Sequence, residues 1–185
     1  IARSGAPYLV NMTVSAEHAH VVGENAYLLV SAGVRSLSVS YRMGDHWPPD
    51  RARAYFKSLA QFLRRIRLEG LSLSMLNPVG RDEPNIVSPM PTVDCDGMVY
   101  VGARMPSLER LMPTLAPVMR RGRVGTIVDF EAIRSDRLTI QRLALDASRG
   151  TPDAGPLLDA FRMGKMSQTF FDGMVDLGLL KAEGR

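Results

Sequence analysis

The sequence has 185 residues, 45% of them hydrophobic and 23% charged, and a formal net charge of +4. This balance excludes a globally disordered chain, and no apolar run approaches the roughly 20 residues that cross a bilayer. The single cysteine, Cys95, excludes an internal disulfide framework and an all-cysteine metal site made by this chain alone. The lone cysteine predicts a reducing, cytoplasmic compartment, and we expect no membrane partner. Nucleic acid is disfavoured as a partner, because the basic residues form no single large patch.

Three segments alternate apolar with small polar residues, which is the period of a β-strand. They are residues 9–15, 36–42 and 71–76. One face of these strands carries Asn11, Thr13, Ser15, Ser36, Ser38, Ser40, Arg42, Ser72 and Ser74. Buried strands of a parallel sheet usually read as continuous apolar runs, so this polar face predicts a partial barrel whose inner face lines a polar cavity. An antiparallel sheet with one wet face is the alternative.

Helical patterns separate the three strands. Residues 16–32 carry an apolar stripe, with Ser15 as candidate N-cap and Gly33 just past the end. A second helix is predicted to open at Pro48 or Pro49 and to end at Gly70. Both linkers are long enough for parallel crossovers. Three strands cannot close a barrel, which needs about eight, so the remaining strands are expected upstream or on another chain.

The loop after the second strand concentrates polar and aromatic residues. In strand-helix units, loops at the carboxyl ends of strands are where binding residues gather. Asp45 and His46 are the candidate catalytic pair, because an imidazole beside a carboxylate suits proton transfer or substrate orientation. An ordinary surface loop is the alternative, and Trp47 is interpreted as a packing residue. His18 and His20 do not share a helix face, which excludes them as a metal pair.

The second half of the chain is predicted to begin with a loop and a hairpin. Residues 91–102, PTVDCDGMVYVG, predict two short strands that turn at Asp96 and Gly97. Helices are predicted over residues 107–121, 129–148, 157–163 and 168–180, with a short strand over residues 126–130. The fold class is therefore α/β: a partial, open TIM-like barrel of strand-helix units, followed by a β-hairpin and a C-terminal helical tail. The domains are residues 1–105 and a mostly helical extension, residues 106–185.

The strand VNMTVS, the helix containing ENAYLLVSAGV and the strand SLSVSYRMGDHW resemble the second half of a radical S-adenosylmethionine domain, which is a partial barrel of strand-helix units. The stretch MPTVDCDGMVYVG is similar to the hairpin that often opens the C-terminal extension of peptide-modifying members. The resemblance covers residues 7–105. The family's CxxxCxxC motif, whose three thiolates hold an iron-sulfur cluster, is absent from this chain.

The resemblance implies the carboxyl half of such an enzyme, with a 4Fe-4S cluster held by a missing amino-terminal half or partner chain. The positions where the family contacts the ribose and carboxylate of S-adenosylmethionine are occupied by Asn11, Thr13, Ser15, Ser38, Ser40 and Arg42. Arg42 would pair with the carboxylate, because a guanidinium binds it bidentately. The implied function is radical modification of a peptide or small metabolite, and this chain is not competent alone.

Two other function classes stay open. The first is a non-catalytic binding or assembly module, in which a degenerate half-barrel pairs with itself or with a partner, because three strands expose their edges. The second is DNA binding by residues 157–163 and 168–180 as a helix-turn-helix. Asp172 and Asp176 disfavour that function, because they would repel phosphate and the second helix has no arginine.

Overall fold

The structure, a computed structural model, describes residues 8–75, 77, 91–93, 95–101, 113–126 and 137–181. In this part the chain is a mixed α/β protein with two small three-stranded sheets, and it contains no closed barrel. The chain divides into two compact units. The first is Ile1–Asp82 with Lys165–Arg185, and the second is Glu83–Gly164.

The first sheet consists of β1 (Val10–Val14), β2 (Ser36–Tyr41) and β3 (Ser74–Met75), which lie in that order and are all parallel. The predicted strand-helix-strand order is therefore confirmed, and the antiparallel alternative is wrong. β3 is shorter than the predicted strand over residues 71–76. The physical reason lies just before it, where Leu71 donates its backbone N–H to the Ile66 carbonyl at 2.9 Å and is used to end the preceding helix.

The helix predicted over residues 16–32 consists of two parts, a 3-10 helix Ala16–Val21 followed by α1 (Val22–Ser31). The second helix is α2 (Pro49–Leu68), with Pro49 in its first turn as predicted. Both helices end at a glycine with positive φ, Gly33 at 101° and Gly70 at 65°. These left-handed residues let the next amides bond back to the last turn.

A close contact joins α1 to α2. The backbone N–H of Gly23 donates to Ser58 Oγ at 2.9 Å, and a Cβ on Gly23 would lie 2.2 Å from the Ser58 carbonyl oxygen. Real Cβ atoms essentially never come that near another heavy atom, so only glycine permits this helix spacing. Glycine is a poor helix former, but at position 23 it is required by the packing of α1 against α2.

Both helices cover the apolar face of the first sheet. Leu37 and Val39 of β2 are fully buried. Tyr41, at the end of the same face, packs edge-on against Trp47, which packs edge-on against Tyr55 of α2 at a centroid distance of 5.6 Å. Since α1 touches α2, the two helices lie on one side of the sheet. The polar face on the other side carries neither of them.

The second unit contains an antiparallel sheet of β4 (Pro91–Val93), β5 (Met98–Val101) and β6 (Arg120–Arg123). The hairpin prediction is confirmed, with Gly97 at φ 80° in the turn. β6 lies partly inside the helix predicted over residues 107–121, so that prediction is wrong at its end. In the described part of that stretch, residues 113–121, the helix is α3 (Leu115–Met119), with Pro117 in its first turn; residues 107–112 lie outside the described residues.

The last two helices are α4 (Arg137–Ser148) and α5 (Ala154–Asp176). The helix predicted over residues 129–148 is confirmed where the structure describes it. The helical structure predicted over residues 157–163 and 168–180 is confirmed as far as Asp176, but the predicted break between two helices is wrong, because α5 is continuous. Of the strand predicted over residues 126–130, only Thr126 is described, in a 3-10 helix Val124–Thr126; the rest lies outside the described residues. α5 contributes to the second unit up to Gly164 and to the first from Lys165.

Candidate functional site

The register of β1 and β2 aligns their polar side chains. Asn11 lies opposite Ser38, and Thr13 lies opposite Ser40. The hydroxyl oxygens of Thr13 and Ser40 are 3.3 Å apart, within hydrogen-bond distance. The two β1 side chains are exposed and the two serines are half-buried. We call these four residues, together with Ser36, the hydroxyl face.

The hydroxyl face follows from simple alternation along two parallel strands. Apolar residues at every second position enter the core under the helices, so the intervening residues point the other way. Each hydroxyl can both donate and accept a hydrogen bond, and the Asn11 amide offers both kinds of group as well. The row of paired polar groups can therefore bind a ligand rich in hydroxyls, such as a sugar.

An ion pair lies at the carboxyl end of the first sheet. Arg42 Nε donates to Asp45 Oδ1 at 2.6 Å. The other carboxylate oxygen of Asp45 accepts the backbone N–H of Ala16 at 3.2 Å. Asp45 is 13% exposed and Arg42 55%. The carboxylate thus fastens the loop after β2 to the first residue of the 3-10 helix after β1, and it uses one of the five guanidinium donors of Arg42.

The side chain of Trp47 holds the same loop in place. Its indole N–H donates to the Arg42 carbonyl at 3.0 Å, and the side chain is buried. The interpretation of Trp47 as a packing residue is confirmed. Burial raises the pKa of the Tyr41 and Tyr55 hydroxyls, the two aromatic neighbours of this indole, above the ordinary value of a tyrosine.

The structure brings some of the predicted site residues together and leaves others apart. Arg42 and Asp45 are brought together in the ion pair. His46 is exposed. Ser15 stands at the N-cap, but its hydroxyl makes no cap bond; Ser15 Oγ lies 2.9 Å from His18 Nδ1 and 3.3 Å from Glu17 Oε1.

Sequence reasoning missed one residue of this sheet. Asn77 accepts the Val39 backbone N–H at Oδ1, 3.1 Å away, and its amide nitrogen donates to the Val39 carbonyl. Because Leu37 pairs with Met75, Asn77 is at the position opposite Val39 where β3 would have continued. Its side chain replaces the missing strand backbone. An asparagine directly after a predicted strand is the signal that could have indicated it.

The side chains present in this chain decide whether it could hold a 4Fe-4S cluster or S-adenosylmethionine. The chain has one cysteine, whereas an iron-sulfur cluster takes several thiolates. Among the described residues no group of three His, Cys, Asp or Glu is placed to hold a metal ion. The chain's own residues therefore do not fit a 4Fe-4S cluster. The hydroxyl face offers donors and acceptors of the kind that ribose hydroxyls need.

Comparison with known proteins finds no match for this chain, whether by protein-family model, by curated sequence or by solved structure. Across the described ranges, no helix is both long enough and apolar enough to cross a membrane.

Proposed function

We propose that this chain forms part of a partial barrel of the radical S-adenosylmethionine kind, and that its hydroxyl face binds S-adenosylmethionine. The observation that carries the proposal is the pairing of polar side chains across β1 and β2, Asn11 with Ser38 and Thr13 with Ser40. A row of this kind on a parallel sheet is unusual, because both faces of such sheets are commonly covered and apolar.

The order of the strands supports a barrel wall. Consecutive strands lie side by side in the order β1, β2, β3, and both intervening helices lie on the apolar face. Strands that are added in one direction with their helices on one side are the repeating unit of a (β/α) barrel. Each half of a doubly wound sheet has the same arrangement, and it is the paired polar side chains across β1 and β2 that favour the barrel. The hydroxyl face is then the inner wall.

The proposed contacts follow from the chemistry of the ligand. The Asn11 and Ser38 pair and the Thr13 and Ser40 pair would hold the ribose hydroxyls, since each side chain can donate and accept. Arg42, at the carboxyl end of β2, would attract the ligand carboxylate while Asp45 orients its guanidinium. When bound, S-adenosylmethionine would supply the reactive group for modifying a peptide or small metabolite. Cluster ligands would have to come from residues outside this sequence.

A binding experiment with a matched control tests the proposal. The purified chain is titrated with S-adenosylmethionine by isothermal titration calorimetry, and then the variants Asn11→Ala and Asn25→Ala. Both asparagines are exposed, but Asn25 lies on α1. Loss of Asn11 should weaken binding about tenfold, which corresponds to about 1.4 kcal/mol, within the range of one hydrogen bond. Equal affinities for the two variants, or no saturable binding by the unmodified chain, would refute the proposal.

A second candidate function, an assembly module, is favoured by the edges of the first sheet. Within the described residues, β1 has a neighbouring strand on one side only, and such edges favour pairing with another chain. This function predicts an oligomer by light scattering and no binding of S-adenosylmethionine. A monomer that binds S-adenosylmethionine would exclude it.

A further inference from the structure

A cavity of about 610 Å³ lies in the first unit, away from the hydroxyl face. It contacts every residue of the run Gly70–Met75, and Asn77, but no residue of β2. Consecutive strand residues point to opposite faces of a sheet, so a cavity that contacts all of them does not lie on one face alone. Because it also contacts no residue of β2, it lies along the outer edge of the strand. The cavity therefore lies beside the edge of β3 that faces away from β2. We call it the edge cavity.

The backbone of β3 directs hydrogen-bonding groups into the edge cavity. Ser74 donates its N–H to the Arg35 carbonyl at 2.9 Å, so its backbone faces β2. In an extended strand, neighbouring residues direct these groups to opposite sides. The N–H and C=O groups of Leu73 and Met75 therefore face away from β2. Within the described residues neither has a backbone partner there.

The far wall of the edge cavity is the segment that follows α5, Gly178 to Lys181. Its position is fixed by the end of that helix. Gly178 adopts a positive φ of 64°, and Arg67 of α2 donates to the Leu177 carbonyl at 3.2 Å and the Gly178 carbonyl at 2.8 Å. The wall is thus tied to α2 and leaves a slot between itself and β3.

The lining of the edge cavity indicates what the slot would accept. Leucine, isoleucine and methionine side chains line it together with the hydroxyls of Ser72 and Ser74. Among the described residues, the charged groups that line it are Arg67 and Lys181. Because Arg67 bonds carbonyls at the end of α5, Lys181, which is exposed, is the cation best placed to attract an acidic side chain.

We propose that the edge cavity binds an extended peptide segment of a partner protein, which adds a strand to β3. Main-chain hydrogen bonds to Leu73 and Met75 would give affinity, and alternate side chains of the peptide would give specificity. β3 and the residue before it, Leu73 to Met75, make an edge about 10 Å long at about 3.3 Å per residue. The segment would place about three residues along this edge, would alternate apolar and polar side chains, and would include one acidic residue beside Lys181.

The test uses the full chain and a designed probe, the labelled peptide acetyl-Val-Thr-Val-Glu-Val-amide. Binding is measured by fluorescence polarisation and located by amide NMR shifts. Two further peptides carry N-methyl groups on the odd or on the even amides, which removes donors and keeps the side chains. Methylation of at least one set should weaken binding at least tenfold, and the amides of Leu73 and Met75 should shift. Binding that is absent, insensitive to both methylations, or located elsewhere would overturn the proposal.

Charge is tested by a matched pair of variants. Lys181→Glu should weaken binding of the glutamate-containing probe severalfold, because like charges repel. Lys57→Glu makes the same change on an exposed site of α2 that does not line the edge cavity, and it should leave binding unchanged. Equal affinities for the two variants would contradict the placing of an acidic side chain beside Lys181.

Discussion

Replacing Gly23 by alanine tests how closely α1 and α2 pack. The added Cβ would lie 2.2 Å from the Ser58 carbonyl oxygen and 2.9 Å from Ser58 Oγ. Ordinary contacts begin at 3.4 Å, so the helices must separate by about 1 Å. Overpacking of this kind costs about 1–3 kcal/mol, and weakening the bond from the Gly23 N–H to Ser58 Oγ adds about 1 kcal/mol. The gain in helix propensity offsets about 1 kcal/mol.

The net expectation for Gly23→Ala is a loss of about 1–3 kcal/mol in the free energy of unfolding. Urea denaturation followed by circular dichroism measures it. The matched control is Gly173→Ala in α5, where a Cβ would meet nothing within 4 Å. That variant should gain up to about 1 kcal/mol, because alanine is the better helix former. The two substitutions are chemically identical, so their opposite signs isolate the packing effect.

A Gly23→Ala variant as stable as the unmodified protein would refute this reasoning, provided that Gly173→Ala is stabilised. The close approach of the helices would then not exist in solution. The arrangement of both helices on one face of the first sheet, on which the proposed barrel wall depends, would lose its main packing contact.

Three further outcomes are expected. Asp45→Asn should lower the free energy of unfolding by about 1–2 kcal/mol, because it weakens the charged hydrogen bond from Arg42, which follows β2. The midpoint of urea denaturation measures this, and an unchanged midpoint would contradict it. Asn77→Ala leaves the Val39 backbone groups without their partner and should cost about 1–3 kcal/mol, with faster exchange of the Val39 amide in deuterium oxide; unchanged exchange would be inconsistent with the contact. Tyr41 and Tyr55 have raised pKa values in the folded state. Their contribution to the free energy of unfolding is therefore complete below the ordinary tyrosine pKa of about 10 and declines as pH rises above it. In the double Tyr→Phe variant the free energy of unfolding should fall less steeply with pH above that value, and an identical pH profile would refute the raised pKa values.

Local sequence chemistry predicted much of the first unit. Gly33 and Gly70 follow helix ends because few other residues adopt positive φ there, and Pro49 opens α2 because a proline needs no backbone donor in the first turn. The alternation along β1 and β2 predicted which face is polar, because it depends only on strand geometry. These features are properties of short segments, and short segments are what a sequence encodes most directly.

The contacts between segments were not predicted, because they depend on distances that no local pattern contains. The bond between Asp45 and Ala16 joins the loop after β2 to the 3-10 helix after β1, and the Asn77 amide takes the place of a strand backbone. The continuity of α5 was missed for a similar reason. Its interior glycines are poor helix formers, but the burial of Met163 and Phe171 on the same helix shows that packing outweighs propensity there.

The measurement that tests the central claim most directly is an amide NMR titration of the ¹⁵N-labelled chain with S-adenosylmethionine. We predict saturable shifts that cluster on the hydroxyl face, at Thr13, Ser38 and Ser40, with no change at Leu28 on α1 or Leu68 on α2, which are exposed on the helical side. Shifts confined to the helices, or no saturable shift at any concentration up to about 1 mM, the range of weak binding, would contradict the claim.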